Sequence, residues 1–329
     1  MKAHVITQFG DPSVFKKMEI PKPVLQPGHV LVRVFATSVN PIDCKIRSGL
    51  VPAISPDFPA VLHGDVAGVV DAVSADVKEF KVGDEVYGYA GGCRGASGAL
   101  AEWMLVDAKL IAKKPQTLSM AEAAALPLVG ITAWEALFTK AHLNKNNTVL
   151  IHGGVGGVGH MAVQLAHWSG AKVYTTVRSH DDFSLAKSLG ADEVIHANEE
   201  NVEAYVKRLT DNKGFDIVFD TVGGPNLDRS LFAAARNGTV VTTAARSTHD
   251  LTPMHNKALN LSVVFVILPI LTGQNRENHG KILRELTKLA NEKKLKPLID
   301  PHPFTLDQPS EAHAFLESGK ATGKIILIG

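Results

Sequence analysis

Cysteine is scarce in this sequence, which contains only Cys44 and Cys93 among 329 residues. Two thiols supply neither a disulfide framework nor a cysteine-rich zinc site. A single disulfide between them is an alternative, but two reduced thiols are more typical of such a composition. The sequence therefore predicts a cytoplasmic protein that does not depend on disulfides.

The sequence also lacks an excess of charge of either sign and any long apolar run. Lysine and arginine number 34 against 33 acidic residues, which gives a formal net charge of +1. A protein without a dominant positive field is poorly suited to hold a polyanion. No run reaches the ~18 apolar residues of a membrane span, and the first residues show no signal-peptide pattern. We therefore expect neither nucleic acid nor a membrane as a partner.

The residues that are present suit a large globular protein. Hydrophobic residues make up 45% and charged residues 20% of the chain, both close to the average for globular proteins. The length of 329 residues exceeds the roughly 250–300 residues that a single core usually serves. We expect two domains: a β-rich domain over residues 1–123, completed by about 270–329, and an α/β domain over residues 124–269.

The pattern of apolar residues changes along the chain. The first third contains short strand-like runs at 29–35, 66–73 and 85–89, separated by glycine and proline. From Asn147 onward, apolar strands alternate with helical patterns, which indicates βαβ units and a parallel sheet. The predicted strands are 148–152, 172–177, 193–196, 215–221, 238–244 and 261–268, with helices at 158–169, 181–189, 202–210 and 279–292 and a closing strand at 324–328. Six strands match a complete dinucleotide-binding fold.

A glycine-rich turn joins the first of these strands to its helix and reads Gly154-Val155-Gly156-Gly157-Val158-Gly159. Gly154 and Gly156 allow a tight turn and close approach to a pyrophosphate, while Gly159 allows the helix to pack on the strand. The helix N-terminus offers free N–H groups to an anion. A turn without a ligand is the alternative, which the surrounding strand, helix and five further strands disfavour. The segment predicts a dinucleotide site.

The end of the second strand indicates which dinucleotide binds. NAD enzymes usually place an acidic residue there to bind the ribose 2′-hydroxyl. Here Arg178 and Ser179 occupy that end, and arginine pairs well with a 2′-phosphate. The sequence therefore predicts NADPH as cofactor, although Asp181 and Asp182 follow closely, and Arg178 as an ordinary surface charge is the alternative.

Seven further short motifs are spread along essentially the whole chain. In chain order they are Val39-Asn40-Pro41-Ile42-Asp43, Asp65-Val66-Ala67-Gly68, Lys81-Val82-Gly83-Asp84, Gly98-Ala99-Leu100-Ala101-Glu102, Ala123-Ala124-Ala125-Leu126-Pro127, Leu189-Gly190-Ala191-Asp192 and Gly323-Lys324-Ile325-Ile326-Leu327. Together with the glycine-rich turn, these motifs resemble the quinone oxidoreductase branch of the medium-chain dehydrogenase/reductases, which includes the zeta-crystallins. The resemblance implies an α/β protein with a Rossmann doubly wound parallel sheet and a GroES-like β-rich catalytic domain.

The same resemblance indicates whether the chain has the ligands for a catalytic zinc ion. In the related alcohol dehydrogenases, a Cys, a His-Glu pair and a further Cys hold a catalytic zinc. Asn40, Gly64 and Asp65 stand at the positions of the first Cys, the His and the Glu. No catalytic zinc site can be assembled from these residues, and the other histidines show no metal-type pairing at helical spacing. We therefore expect no bound metal.

The expected reaction follows from that absence. Alcohol oxidation near neutral pH benefits from a Lewis acid that stabilises the alkoxide. Quinones and α,β-unsaturated carbonyls accept a hydride with less help, because conjugation spreads the arriving charge. We expect an enzyme for NADPH-dependent reduction of quinones or enones. The alternatives are a reductase of 2-alkenals or enoyl thioesters, and an NADPH-binding structural or regulatory protein without turnover.

The resemblance also implies site residues. Asn40 and Thr132 are the expected catalytic residues beside the nicotinamide, with a structural Asn-Pro turn and a helix N-cap as their alternative roles. Lys45 stands where many relatives have tyrosine and could attract a phosphate, although a solvated surface lysine is the alternative. The complete predicted cofactor site comprises Asn40, Lys45, Thr132, Gly154, Val155, Gly156, Gly157, Val158, Arg178, Ser179, Val222, Ala244 and Val266.

A homodimer is also implied by the resemblance. The most apolar stretch, residues 261–271, is interrupted by Pro269 and is predicted to begin with a buried strand. Its segment 261–268 could form the dimer edge, but an internal strand of the sheet explains the same run equally well.

Overall fold

The computed structural model describes all residues from Met1 to Gly329. Its strands are β1 (Lys2–Ile6), β2 (Phe15–Glu19), β3 (His29–Val39), β4 (Ala60–Val61), β5 (Asp65–Val73), β6 (Glu85–Tyr89), β7 (Trp103–Asp107), β8 (Ile111–Lys113), β9 (Thr148–Ile151), β10 (Lys172–Val177), β11 (Glu193–His196), β12 (Phe215–Asp220), β13 (Ala234–Thr242), β14 (Asn260–Val263), β15 (Phe304–Thr305) and β16 (Ile325–Ile328).

The α-helices are α1 (Pro41–Arg47), α2 (Met120–Ala124), α3 (Pro127–Trp134), α4 (Gly157–Trp168), α5 (Phe183–Ser188), α6 (Val202–Thr210), α7 (Pro225–Ala233), α8 (Thr252–Lys257), α9 (Leu268–Thr272), α10 (Arg276–Asn291) and α11 (Pro309–Glu317). None of them combines the length and the apolar character that crossing a bilayer requires.

The chain forms two compact units. The β-rich unit contains Met1–Ile131 and Val266–Gly329, and the α/β unit contains Thr132–Phe265. The boundaries at 131/132 and 265/266 lie close to the positions 123/124 and 269/270 suggested by the sequence.

The β-rich unit is built around the long strand β3. Its larger sheet has the order β15-β16-β3-β5-β6-β8, with β7 also paired to β3, and its smaller sheet has the order β2-β1-β4. Strand β16 pairs antiparallel with β3, so that Ile325 lies opposite Val39. The end of the chain therefore completes the sheet that its first segment begins.

The α/β unit contains one six-stranded sheet of order β11-β10-β9-β12-β13-β14, in which every neighbouring pair is parallel. Counted within this unit, the order is that of a doubly wound dinucleotide fold. Leu150, Val218 and Val240 are completely buried on its central strands, as expected for parallel strands covered by helices. The predicted fold class is confirmed.

Some predicted elements differ from the structure. The strand predicted over 261–268 is wrong in length and burial, because β14 ends at Val263 and lies at the sheet edge with Val263 exposed. Pro269 lies in the first turn of α9, where proline fits well. The strand predicted over 238–244 is instead β13, and the helix predicted over 181–189 is a 3₁₀ turn at His180–Asp182 followed by α5.

Candidate cofactor and catalytic site

The glycine turn, residues 153–159, connects β9 to α4. Gly153 has a φ of +72°, which favours glycine. A Cβ atom on Gly154 would lie 2.0 Å from Thr175 Oγ1, and one on Gly159 would lie 2.0 Å from the Gly153 carbonyl oxygen. Internal packing of strand against helix therefore requires glycine at both positions.

Gly156 is constrained differently. A Cβ atom there would approach only the Gly153 carbonyl oxygen, at 3.2 Å. Gly156 is also the N-cap of the twelve-residue helix α4, and no side chain caps that helix. The first N–H groups of a helix have no intrahelical acceptor and attract anions. The space beside Gly156 and the amides of Gly157 and Val158 together fit a pyrophosphate.

Buried polar residues next to the glycine turn hold the local backbone in place through hydrogen bonds. Thr176 Oγ1 accepts a hydrogen bond from Gly153 N–H at 3.1 Å, and the Thr176 carbonyl accepts one from Gly154 N–H at 3.0 Å. Burial lowers the pKa of His152, at the end of β9, to about 4. His152 is therefore neutral at neutral pH. Asp220 Oδ1 fixes the turn after β12 by accepting from the Val222 and Gly223 N–H groups at 2.9 and 3.0 Å.

The strand tip, Arg178 and Ser179, follows β10 directly. Arg178 is exposed, and the Ser179 hydroxyl oxygen accepts from Asp181 N–H at 3.2 Å. Burial and the Asp181 carboxylate raise the pKa of Asp182, whereas the Arg178 guanidinium lowers it. Because the strands are parallel, the strand tip lies at the same sheet edge as the glycine turn. Val222 and Ala244 follow β12 and β13 at that edge.

Asn40 belongs to a buried polar network in the β-rich unit. Asn40, Asp65 and Lys324 are 1%, 0% and 2% exposed. Asn40 Nδ2 donates to Asp65 Oδ2 at 2.8 Å, and Lys324 Nζ donates to Asn40 Oδ1. Lys324 Nζ lies 3.5 Å from Asp65 Oδ2. The amide of Asn40 is therefore held between an ammonium and a carboxylate.

Further donors complete this network. Asp65 accepts from the Ser38 hydroxyl and, at 2.8 Å, from Leu128 N–H. Burial lowers the pKa of Lys324, while the Asp65 and Asp43 carboxylates raise it. Burial raises the pKa of Asp43 to about 7, and its Oδ2 accepts from Asn40 N–H at 2.8 Å. The side chains around Asn40 thus hold one another in fixed positions.

No side chain fits at position 64. A Cβ atom on Gly64 would lie 2.1 Å from the Tyr89 ring and 2.7 Å from the Gly91 carbonyl oxygen. Tyr89 is itself 1% exposed and cannot move into solvent without opening the core. The position at which the alcohol dehydrogenase branch places its histidine is therefore filled by tyrosine.

The other residues of the predicted cofactor and catalytic site differ in exposure and in the element to which they belong. Asn40 is the N-cap of α1 and precedes Pro41, and Lys45 is exposed on the same helix. Thr132 is buried inside α3, so its alternative role as a helix N-cap is wrong. Val266 follows β14 and begins the second segment of the β-rich unit, and Val155 is half-buried in the glycine turn.

The structure also reveals polar residues that sequence patterns did not indicate. Lys324 is one, and the buried pair His63 and His313 is another, with their Nε2 atoms 2.9 Å apart. His313 Nδ1 lies 3.3 Å from Cys44 Sγ, and burial raises the pKa of Cys44 to about 12. The contacts of Lys324 and His313 join residues more than 200 positions apart, so no local pattern could reveal them.

Comparison with known proteins agrees with this architecture. Residues 26–116 match the family described as alcohol dehydrogenase GroES-like domain, and residues 157–278 match the one described as zinc-binding dehydrogenase. The chain is 37% identical over 334 residues to a 2-methylene-furan-3-one reductase of Solanum lycopersicum, covering 99% of this chain and 79% of the relative. It is 31% identical over 330 residues to the quinone oxidoreductase of Homo sapiens, covering 100% and 98%.

A solved structure shows the same similarity. The Escherichia coli quinone oxidoreductase complexed with NADPH matches with a TM-score of 0.90 at 29% identity, covering 100% of both chains. The chain therefore belongs to the medium-chain dehydrogenase/reductase family. Within that family it belongs to the quinone oxidoreductase branch.

Proposed function

We propose that this protein is an enzyme that reduces quinones or other conjugated carbonyl compounds by hydride transfer from NADPH, without zinc. The similar human protein is named a quinone oxidoreductase, and the similar Escherichia coli structure contains NADPH. The glycine turn with its uncapped helix fits the cofactor pyrophosphate. Arg178 and Ser179 are the proposed partners of the 2′-phosphate.

The main structural support for a metal-free reaction is the hydrogen-bond network around Asn40. The amide oxygen of Asn40 accepts from the Lys324 ammonium, so a cation already occupies the position beside it. Asp65 is engaged by Asn40, Ser38 and Leu128, and the Tyr89 ring fills the space at Gly64. A zinc ion placed among these residues would face an ammonium and lack a histidine ligand. These contacts support chemistry without a Lewis acid.

The bound NADPH would supply the hydride. The chain's own contribution is positioning, which the rigid network and the glycine turn favour. We propose that Asn40 and Thr132 contact the nicotinamide end, and that Asp65 and Lys324 fix the orientation of Asn40. We also include Lys45, Val155, Val222, Ala244 and Val266 in the proposed cofactor site.

A turnover assay tests the proposed function. Purified protein is mixed with NADPH, and the loss of its absorbance is followed with quinones, 2-alkenals and an enoyl thioester. At saturating NADPH, we expect turnover with conjugated acceptors, no oxidation of simple alcohols by NADP⁺, and no change in kcat after treatment with a metal chelator. Tight NADPH binding without turnover of any acceptor would favour a binding protein. Loss of turnover after chelation would contradict the zinc-free reaction.

A specific observation keeps a second substrate class open. The tomato relative is named for a 2-methylene-3-one, a ketone conjugated to a carbon–carbon double bond. Reduction of 2-alkenals, enones or enoyl thioesters uses the same cofactor half and differs in the acceptor. The ratio of kcat/KM values for matched quinones and enones distinguishes the two classes. A higher value for enones would assign the protein to enone reduction.

We further propose a cytoplasmic homodimer that binds neither nucleic acid nor membranes. Both cysteines are free and buried, which suits a reducing compartment. The edge strand β14 exposes Val263, and Phe265 just beyond it is also exposed, so pairing of two such edges would cover apolar surface. Light scattering should give twice the chain mass of 35.2 kDa. A Val263→Lys/Phe265→Glu variant should give one chain mass, and an unchanged dimer would exclude this edge.

A further inference from the structure

Two histidines and a glutamate meet at the edge of the parallel sheet. His180 lies three positions after the end of β10, His196 is the last residue of β11, and Glu199 lies three positions after His196. Strands β10 and β11 are parallel neighbours, with Val177 opposite His196. One ligand atom from each of the three side chains lies within 4.8 Å of the other two. We propose that this cluster is a binding site for a divalent transition-metal ion, and that Zn²⁺ fits it best.

The distances within the cluster suit tetrahedral coordination. Zinc binds imidazole nitrogen and carboxylate oxygen at about 2.0–2.1 Å, which places two tetrahedral ligand atoms about 3.3 Å apart. His180 Nε2 lies 3.0 Å from Glu199 Oε2, and His196 Nδ1 lies 3.6 Å from Glu199 Oε1. These two separations lie on either side of the required value, and the ligand nitrogens of His180 and His196 lie within 4.8 Å of each other. Rotation of the exposed His180 side chain would bring the three atoms to one ion.

His196 provides the second observation that indicates a ligand. Its Nδ1 atom is buried and has no hydrogen-bond partner. Buried polar atoms are rarely left without a partner, because desolvation then goes uncompensated. The His196 ring stacks on the His180 ring with centroids 4.5 Å apart, so binding of one ion by both rings requires the exposed His180 ring to rotate out of this stack. Coordination of a metal ion would satisfy this nitrogen.

The donor atoms determine the class of metal. Two imidazole nitrogens favour zinc, nickel or copper over magnesium and calcium, which prefer oxygen ligands. The His180 and Glu199 side chains are 65% and 60% exposed, so solvent reaches the cluster. Three protein ligands with a fourth position open to water or an anion describe a solvent-accessible zinc site. This site is distinct from the Asn40 network, which belongs to the β-rich unit.

The cluster lies next to the strand tip, so we expect a bound ion to affect cofactor binding. This expectation rests on the proposed function. His180 directly follows the strand tip, Arg178 and Ser179, which we propose binds the 2′-phosphate. A doubly charged cation there would attract a phosphate and could complete its coordination with a phosphate oxygen. Bound zinc should therefore strengthen the binding of NADPH and leave that of NADH unchanged.

Calorimetric titration of the tag-free protein with Zn²⁺ alone tests the site. We expect one ion per chain for the wild type and at least tenfold weaker binding for His180→Ala and for His196→Asn. Glu199→Gln changes an exposed side chain without threatening the fold and should also weaken binding. His255→Ala removes an exposed histidine of the same unit outside the cluster and is the matched control. Mg²⁺ should not bind.

The results separate the metal site from the cofactor assignment. Wild-type protein that binds no zinc, or variants that bind it as tightly as the wild type, would overturn the site. A second titration with NADPH and NADH follows, with and without zinc. Zinc binding that leaves the NADPH affinity unchanged would retain the metal site and contradict its link to the 2′-phosphate. Failure of the enzyme to turn over acceptors would not alter the zinc titration.

Discussion

At the residue scale, the proposed preference for NADPH over NADH depends on one exposed arginine, Arg178. A charge-assisted hydrogen bond between guanidinium and phosphate contributes about 1.5–3 kcal/mol. Arg178→Ala should therefore weaken NADPH binding about 10- to 100-fold and leave NADH binding within about twofold of the wild type. Fluorescence titration with both cofactors measures this difference. Arg236→Ala is the control, because Arg236 is exposed near the amino end of β13, at the opposite edge of the sheet. Equal losses for both cofactors would contradict the assignment.

A second residue-scale prediction concerns Lys324 and Asp65. Removing one partner of a buried ion pair leaves the other charge uncompensated and costs about 3–5 kcal/mol. Lys324→Met should lower the free energy of unfolding by about that amount, because Asp65 is completely buried. The double variant Lys324→Met/Asp65→Asn should recover part of the loss. Chemical unfolding of the wild type, both single variants and the double variant measures the coupling, and strictly additive losses would mean that the pair does not interact.

At the scale of elements, two residues of the glycine turn should differ in their roles. We expect Gly154 to be needed for the packing of the fold and Gly156 for the binding of NADPH. Gly156→Ala places a Cβ 3.2 Å from one carbonyl oxygen, a contact that a small shift relieves. Gly154→Ala places one 2.0 Å from Thr175 Oγ1 within the packed strands. We expect Gly156→Ala to change the unfolding free energy by under about 1 kcal/mol and Gly154→Ala to lower it by about 1–3 kcal/mol. NADPH affinity should fall at least tenfold for Gly156→Ala. Retention of that affinity would place the pyrophosphate elsewhere.

The elements also show what the sequence could reveal. The six parallel strands and the turn from β9 to α4 were predictable because each depends on residues close together in the chain. The length of β14 was not, because an apolar run does not distinguish a strand from the following loop and the helix that contains Pro269. His180 and His196 are sixteen positions apart, and only the pairing of β10 with β11 brings them together.

The candidate site could likewise be predicted only in part from the sequence, because some of its contacts join residues far apart in the chain. Asn40 could be singled out from its motif, but its interaction with Lys324 depends on the pairing of β16 with β3. The lysine lies beside a run of isoleucine and leucine, which predicts a buried strand and gives no partner for its charge. An internal cation near Asn40 is therefore a property of the assembled sheet rather than of any local segment.

At the scale of the whole molecule, buried histidines should make the protein sensitive to acid. Burial lowers the pKa of His313 to about 3, those of His152 and His279 to about 4, and that of His63 well below 6.5. The unfolded chain binds protons near pH 6.5 while the folded state does not, so stability falls as the pH decreases below that value. Each such histidine contributes a loss of about 2 kcal/mol between pH 7 and pH 5.

Asp43 has the opposite effect on the stability of the protein over the same pH range. Its pKa is raised to about 7, so the folded state takes up a proton there before the unfolded state does, and stability rises as the pH falls. His313→Gln should isolate one histidine: its loss of stability between pH 7 and pH 5 should be smaller than that of the wild type by about 2 kcal/mol. Chemical unfolding at both pH values measures the difference. The exposed control His255→Gln should retain the wild-type dependence, and the same dependence in His313→Gln would show that His313 does not remain neutral in the fold.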